Sequence, residues 1–235
     1  MSVVFHKASS RGYAKHDWLT THYSFSFASY YDPARMGFGA LRVLNDDMIA
    51  PGMGFGKHPH DNMEIITIPL SGAIRHEDNM GNSAVMTAGE VQVMSGGTGV
   101  EHAEFNASDT EALTVLQVWI SSKQKNVTPR YAQGTPDLSV KNMFVEVVGR
   151  ENSNDLWIHQ DASLSLGRFE AGAKITYTLK APGKGVYFFV MDGEIVLEAH
   201  TLEKRDALGI WGIDKAVEGE AQQHTFLLAI EVPME

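Results

Sequence analysis

Two short stretches decide the fold: Phe55-Gly56-Lys57-His58-Pro59-His60 and Met94-Ser95-Gly96-Gly97-Thr98-Gly99-Val100-Glu101-His102-Ala103-Glu104. Each stretch ends on two metal-capable side chains that are two residues apart. In a β-strand, residues i and i+2 point to the same face, whereas on a helix they diverge. Each pair can therefore direct both side chains into one space. Two such strands that face each other would supply four ligands to that space.

The residue types at these positions point to metal chemistry. His58, His60 and His102 offer imidazole nitrogens and Glu104 offers a carboxylate, a set that suits a divalent ion such as Fe, Mn, Ni, Cu or Zn. Glycines precede both pairs and permit the close backbone approach that a tight pocket needs. We predict that the isolated histidines lie at the surface or support the site from behind: His6, His16, His22, His76, His159, His200 and His224.

Composition narrows the class of protein. With 235 residues, 43% of them hydrophobic and 20% charged, the chain can form one large or two smaller globular domains. A net charge of -10 without a basic run argues against direct binding to nucleic acid. The absence of cysteine removes disulfides and thiolate ligands. We see no leader peptide and no run of ~20 apolar residues, so we expect a soluble, cytoplasmic protein that does not span a membrane.

Short apolar runs alternate with turn residues along the chain. IITIPL at residues 65–70 and VQVM at residues 91–94 each precede a serine-glycine turn. LTVLQVWI at residues 113–120 and VYFFV at residues 186–190 are rich in β-branched and aromatic side chains. Many short strands at close spacing predict an all-β sandwich or barrel.

A polar segment divides the chain into two halves. Residues 121–139 contain Pro129, Gly134 and Pro136 and have the composition of a linker. We therefore predict an N-terminal metal-binding domain at residues 1–132 and a C-terminal domain at residues 133–235.

A faint internal repeat supports two related halves. PLSGAI at residues 69–74 resembles VMDGEI at residues 190–195, and TAGE at residues 87–90 resembles ALGI at residues 207–210. The nearly equal offsets predict two copies of one β unit. The second copy shows ITYT at residues 175–178 where the first has its histidine pair. We expect the C-terminal copy to lack metal ligands and to fill its interior with side chains.

These motifs resemble those of the cupins, a family of small β-barrels. The first cupin segment has a glycine, the H-x-H pair, a glutamate and a closing glycine, and its counterparts here are Gly52, His58, His60, Glu64 and Gly72. The second segment is matched at its outer positions by Gly81, His102 and Asn106, with Thr87 in place of a proline.

Within the cupins the resemblance narrows to the pirins. It is dense over residues 10–131, and beyond the two stretches quoted above it is carried by YSFSFASYYDP at 23–33, LRVLNDD at 41–47, HED at 76–78 and AGE at 88–90. The resemblance implies two tandem cupin β-barrels, that is a bicupin of double-stranded β-helices. It is strongest to bacterial pirin-like quercetin 2,3-dioxygenases.

The resemblance offers two candidates for the fourth ligand. General cupins use the glutamate of the first segment, here Glu64, which strand parity counted from His60 would turn inward. Pirins use the glutamate of the H-x-E pair, here Glu104. We predict His58, His60, His102 and Glu104 as the ligands, with Glu64 as the alternative ligand or as an acceptor that orients a ligating histidine.

The resemblance also implies an activity. It is the cleavage of a flavonol such as quercetin with dioxygen to a depside and carbon monoxide, with Fe(II) favoured over Cu, Ni, Mn or Zn and with Glu104 as the catalytic base. The alternative is a regulatory protein whose bound metal tunes contact with an enzyme or transcription factor. Because two barrels in one chain resemble a built-in cupin dimer, we expect a monomer. Candidates for an apolar pocket wall are Phe27, Phe38, Phe55 and Met63, although ordinary core is the favoured expectation for each of them.

Overall fold

Strands account for nearly all of the regular structure. The structure, a computed structural model, describes residues 1–150, 155–214 and 216–234. Within these residues lie 22 strands and one short 3-10 turn, Ala8–Ser10. The all-β prediction is confirmed.

The first twelve strands carry the metal-capable pairs, and the last ten follow the polar segment. The first twelve are β1 (Ser2–His6), β2 (Gly12–Lys15), β3 (Leu19–Tyr23), β4 (Leu41–Ile49), β5 (Gly54–His60), β6 (Met63–Ser71), β7 (Ala73–Asp78), β8 (Ser83–Thr87), β9 (Val91–Ser95), β10 (Val100–Asn106), β11 (Leu113–Ser121) and β12 (Arg130–Gly134). The last ten are β13 (Phe144–Arg150), β14 (Trp157–Ile158), β15 (Ser163–Phe169), β16 (Lys174–Tyr177), β17 (Lys184–Asp192), β18 (Ile195–Leu197), β19 (His200–Leu202), β20 (Ala207–Trp211), β21 (Val217–Ala221) and β22 (Thr225–Pro233).

Each half of the molecule pairs a seven-stranded sheet with a four-stranded sheet. In the N-terminal half the strand orders are β12-β9-β6-β11-β4-β3-β2 and β5-β10-β7-β8. In the C-terminal half they are β1-β20-β17-β22-β15-β13-β14 and β16-β21-β18-β19. Apart from the strands at both ends of each large sheet, the second series repeats the first strand for strand. The fold is therefore the predicted bicupin, with one barrel in each half.

The two large sheets also pack against each other. One hydrophobic cluster joins Leu44, Ile66 and Val118 of the N-terminal half to Tyr187 and Leu228 of the C-terminal half, and all of them are buried. Because side chains alternate across a strand, the residues next to these in sequence face the interior of their own barrel. The large sheet of the N-terminal half thus has one face toward its partner barrel and one face toward the candidate site.

The two halves exchange strands at their ends. β1 pairs with β20 in the sheet of the C-terminal half, with Ser2 opposite Trp211. β12, which lies inside the segment predicted as a linker, pairs with β9 and completes the sheet of the N-terminal half. The linker prediction is wrong for these five residues. The bounds 1–132 and 133–235 remain a prediction for the domains. The pairing of β1 with β20 shows in addition that the first strand of the chain belongs to the sheet of the C-terminal half.

One of the two repeat matches has the right register. Gly72 lies between β6 and β7, and Gly193 lies between β17 and β18, with positive φ angles of 76° and 89°. Both turns need glycine, since a Cβ would lie 3.0 Å from the Ala112 oxygen or 2.4 Å from the His224 oxygen. The second match is wrong, because Gly89 lies in a turn whereas Gly209 lies inside β20.

The described part of the chain was searched for helices that could span a membrane. Within residues 1–150, 155–214 and 216–234, no helix has the length and apolar character needed to cross a bilayer.

Candidate metal centre

The two predicted pairs lie on neighbouring strands of the small sheet. β10 runs antiparallel to β5, and His102 lies directly opposite His58. The register shifts between His102 and Glu104, so a bulge separates the two members of the second pair. The ring centroids of His58, His60 and His102 lie 4.4–4.8 Å apart. The i, i+2 spacing thus brings three imidazoles to one point.

The histidine nitrogens leave room for a metal ion. The ligand atoms of His58, His60 and His102 all lie within 4.8 Å of one another. Nε2 of His60 and Nε2 of His102 are buried without a hydrogen-bond partner, although buried polar atoms are otherwise nearly always paired. The His58 Nδ1 lies 2.8 Å from the Gly56 oxygen, so Nδ1 is the donor and Nε2 is free to bind. The donors present therefore fit a divalent metal ion.

Burial keeps the imidazoles of His60 and His102 neutral, the form in which an imidazole binds a metal ion. Burial, with the positive charge that His58 can carry, lowers the pKa of His60 to about 4. Burial and the neighbouring histidines lower the pKa of His102 to about 2. At neutral pH both rings therefore present lone pairs.

Glu104 is a buried carboxylate held by two polar side chains. Its oxygens accept hydrogen bonds from the Thr67 hydroxyl at 3.1 Å and from the Gln117 amide at 2.7 Å. Burial raises its pKa to about 7, and the nearby Asp47 adds to the rise. A nearby divalent cation would lower this pKa again, because it favours the charged carboxylate.

Glu64 points away from the site. It is fully buried and accepts hydrogen bonds of 2.6 Å from the hydroxyls of Ser95 and Ser122. The parity argument that turned it inward is wrong, because Asn62 adopts a positive φ of 48° and the turn before β6 breaks the alternation begun at His60. On β6 the inward face carries Ile65 and Thr67, so Glu64 faces the partner barrel. Its described hydrogen bonds involve serines and no ligating histidine.

His76 contacts one of the predicted ligands, His102, and can fix its orientation. It is fully buried, and its Nδ1 lies 3.5 Å from Nδ1 of His102. Its Nε2 lies 3.1 Å from the Asp78 carboxylate, and its ring stacks on Tyr131. If Asp78 accepts the Nε2 proton, Nδ1 of His76 accepts the Nδ1 proton of His102, which leaves Nε2 of His102 for a metal. The sequence placed His76 among seven isolated histidines, and only the pairing of β7 with β10 reveals this contact.

A cavity of about 220 Å³ opens over these residues. Phe27, Phe55, Ile65 and Trp119 form its apolar wall, and the three histidines with Glu104 form its polar end. The predictions for Phe27 and Phe55 are confirmed. Phe38 is not a wall residue but belongs to the core, as was the favoured expectation, since it packs on Tyr187 and Trp211 of the other half. Met63 packs against the cluster of Ile65, Met94 and Val100.

Comparison with known proteins agrees with this geometry. A family model described as Pirin matches residues 4–120, and one described as Quercetinase C-terminal cupin domain matches residues 147–232. The curated quercetin 2,3-dioxygenase of Escherichia coli (strain K12) is 39% identical over 232 residues, which cover 98% of this chain and 99% of that protein. The chain belongs to the pirin family.

Solved structures extend the likeness over the whole pirin chain. The crystal structure of YhhW from Escherichia coli has a TM-score of 0.93 at 38% identity, and the match covers 99% of this chain and 98% of that one. A structure of bacterial pirin YhhW from the same organism in complex with nickel(II) has a TM-score of 0.92 at 37% identity and covers 99% of each chain. The family resemblance stated from the motifs is confirmed.

Proposed function

We propose that this pirin is a metal-dependent dioxygenase that cleaves flavonols such as quercetin to a depside and carbon monoxide. The observation that carries the proposal is the pair of buried, unpartnered Nε2 atoms of His60 and His102 at the end of an apolar cavity. His58, His60, His102 and Glu104 are the proposed ligands. The names of the curated relatives support the reaction.

The proposed ion is Fe(II), with Ni, Mn, Cu or Zn as alternatives that share the same donor preference. The nickel(II) complex of the Escherichia coli pirin supports a divalent ion of this group. When bound, the ion would supply Lewis acidity and would orient the flavonol oxygen beside dioxygen.

The side chains of the cavity have distinct tasks in this proposal. Phe27, Phe55 and Trp119 hold a flat aromatic ring and exclude water. Glu104 takes the proton of the flavonol 3-hydroxyl, a task for which its carboxylate must be ionised, and a bound divalent cation would favour that charged form. The hydrogen bonds from Thr67 and Gln117 keep its oxygens directed into the cavity.

The test of the proposal is oxygen uptake with quercetin after the metal is stripped and Fe, Mn, Ni, Cu or Zn is reloaded separately. We expect uptake with carbon monoxide release for at least one ion, and neither for His60→Ala. If no correctly loaded ion gives turnover, the dioxygenase proposal fails, and the regulatory alternative becomes the one to pursue through partner capture with and without metal.

The base role of Glu104 has its own test. Glu104→Gln with metal retained should lower flavonol turnover about 100-fold or more, because a positioned base contributes roughly 10²–10⁴-fold. The metal content of the variant is measured in the same sample. Unchanged turnover at full metal occupancy would rule out Glu104 as the base.

A further inference from the structure

A second cavity adjoins the candidate metal centre. It has a volume of about 620 Å³ and shares four lining residues with the metal cavity, namely Phe27, Asn45, Asp47 and Phe55. The metal cavity alone, at about 220 Å³, is smaller than the roughly 300–1,000 Å³ of most small-molecule sites. A ligand that reaches the histidines would therefore extend past these four residues into the outer cavity.

Two of the four shared residues are polar and lie on one face of β4. Asn45 and Asp47 are two residues apart on this strand, so both point into the barrel. Between them, Asp46 points the other way and pairs with Arg11 and Arg205. The two inward side chains stand at the passage between the cavities, and Phe27 and Phe55 supply its apolar sides.

Both polar side chains are buried and lack sufficient donors. Asn45 is 5% exposed and Asp47 is 4% exposed. The Asn45 Oδ1 has no hydrogen-bond partner. For Asp47, a hydrogen bond from the Thr21 hydroxyl favours the charged form, and a carboxylate with two oxygens can accept further hydrogen bonds. Buried acceptors whose capacity is not met are costly to the folded protein, so their presence here indicates a ligand that supplies hydrogen-bond donors.

We propose that Asn45 and Asp47 recognise hydroxyl groups on the distal ring of a flat polyphenol whose other end lies at the metal. This inference rests on the proposed function and names the substrate class more narrowly. An amide oxygen and a carboxylate are both acceptors, and vicinal phenolic hydroxyls present two adjacent donors that match them. Trp18, which packs edge-on against Phe55 at 5.1 Å, forms part of the apolar wall of the outer cavity.

Asn45 and Asp47 would therefore determine which flavonols the protein binds. A flavonol whose distal ring has no hydroxyl would leave both acceptors desolvated and unpaired, and such a loss strongly discriminates between ligands. Each buried acceptor that is left unpaired costs roughly 5-fold or more in affinity, so two of them together cost more than roughly 10-fold. The protein should therefore prefer quercetin, with its vicinal hydroxyls, over 3,5,7-trihydroxyflavone.

The experiment is a binding titration of the metal-loaded protein under nitrogen with quercetin and with 3,5,7-trihydroxyflavone. We expect wild type to bind quercetin about 10-fold or more tightly than the second flavonol. Asn45→Leu and Asp47→Asn should each lower this ratio at least about 3-fold, mainly by weakening quercetin. Asp46→Asn, the same chemical change one residue away on the opposite face, should lower the melting temperature and keep the ratio.

The outcomes separate this inference from the proposed function. A wild-type ratio near one, or an unchanged ratio in both inward variants, overturns the recognition role even if oxygen uptake with quercetin is normal. A ratio that falls in Asn45→Leu and Asp47→Asn establishes the recognition role even if no oxygen is consumed, and in that case only the dioxygenase proposal fails. If wild type binds neither flavonol, both proposals fall.

Discussion

The two barrels of this pirin share one arrangement of strands but have opposite interiors. In the N-terminal barrel the small sheet carries three histidines and a glutamate around a cavity. In the C-terminal barrel the space between the sheets is closed by Phe169, Tyr177, Phe188 and their neighbours. The comparison shows that the strand frame does not require the metal centre, since the second barrel reproduces it with an apolar core.

Strand register identifies the equivalent positions. Gly72 and Gly193 open the matching hairpins, and His76 pairs with Glu104 as Leu197 pairs with Gly219. His102 lies opposite His58, and Val217 lies opposite Tyr177. Each polar residue of the first barrel therefore has a counterpart in the second. Tyr177 corresponds to His58, Val217 to His102, Gly219 to Glu104, and Leu197 to His76.

The largest effect is expected when a proposed metal ligand of the first barrel is replaced by the apolar residue found at the equivalent position of the second. His102→Val copies Val217 and removes a proposed ligand. We expect metal affinity to fall by more than roughly 100-fold, since the loss of a supporting residue alone costs about 10–100-fold. Metal content after dialysis and a chelator competition measure the effect. The exposed His224→Val is the matched control, and full occupancy in His102→Val would contradict the ligand assignment.

The buried carboxylate Asp47 gives the second largest effect, on stability. Burial raises its pKa from 3.8 to about 7. The unfolded chain therefore releases this proton at lower pH than the folded protein, and wild type loses stability as pH rises from about 4 to about 7. At pH 8 the free energy of unfolding of Asp47→Asn should be higher than that of wild type by roughly 2–4 kcal/mol. This difference should disappear near pH 4, where the Asp47 carboxyl is neutral in the folded protein.

Urea unfolding of the two proteins at both pH values, with a chelator present, tests this prediction. The chelator ensures that metal binding does not contribute to the difference. A gap of equal size at pH 4 and pH 8 would show that the Asp47 carboxyl does not titrate as described.

His76 offers a smaller and more selective test. His76→Leu copies Leu197 and leaves Nδ1 of His102 without its acceptor. Metal affinity should fall about 10–100-fold, and His76→Gln should recover part of it because its amide oxygen can accept the same proton. Nitrogen-15 NMR of the metal-free protein should show His102 protonated at Nδ1 in wild type and in a mixture of tautomers in His76→Leu. An unchanged tautomer would remove His76 from this role.

The last prediction concerns the space around Gly219. A Cβ at this position would lie 2.4 Å from the Val196 oxygen. Gly219→Ala should therefore lower the free energy of unfolding by about 1–3 kcal/mol. Gly134→Ala, whose Cβ would meet Leu156 at an ordinary 3.7 Å, is the control. Equal stability of the two variants would mean that the second barrel tolerates a Cβ at the position equivalent to Glu104.

Local periodicity was sufficient to predict an all-β sandwich or barrel and to group the histidines, whereas the two tandem cupin barrels were predicted from the family resemblance. The H-x-H and H-x-E spacings predict a shared face, and β5 and β10 place His58, His60 and His102 together as expected. The assignment of these residues and Glu104 as ligands stays a prediction. Glu64 shows where counting fails, because one residue with positive φ between two strands resets the alternation.

Contacts between distant strands could not be predicted from the sequence. Asn45 and Asp47 belong to an ordinary alternating strand, and only its place beside β11 brings them to the cavity. His76 likewise depends on the register of β7 against β10. The pairing of β1 with β20 joins residues about 200 positions apart, and no local pattern encodes it.

This last pairing has a consequence for how the chain is made. During synthesis Ser2–His6 leaves the ribosome about 200 residues before its partner Ala207–Trp211. This edge strand therefore stays unpaired while the intervening residues are made, a condition that favours aggregation. Clipping the chain in the connection after β12 would leave the two fragments joined through this strand, so a nicked protein should still migrate as one particle.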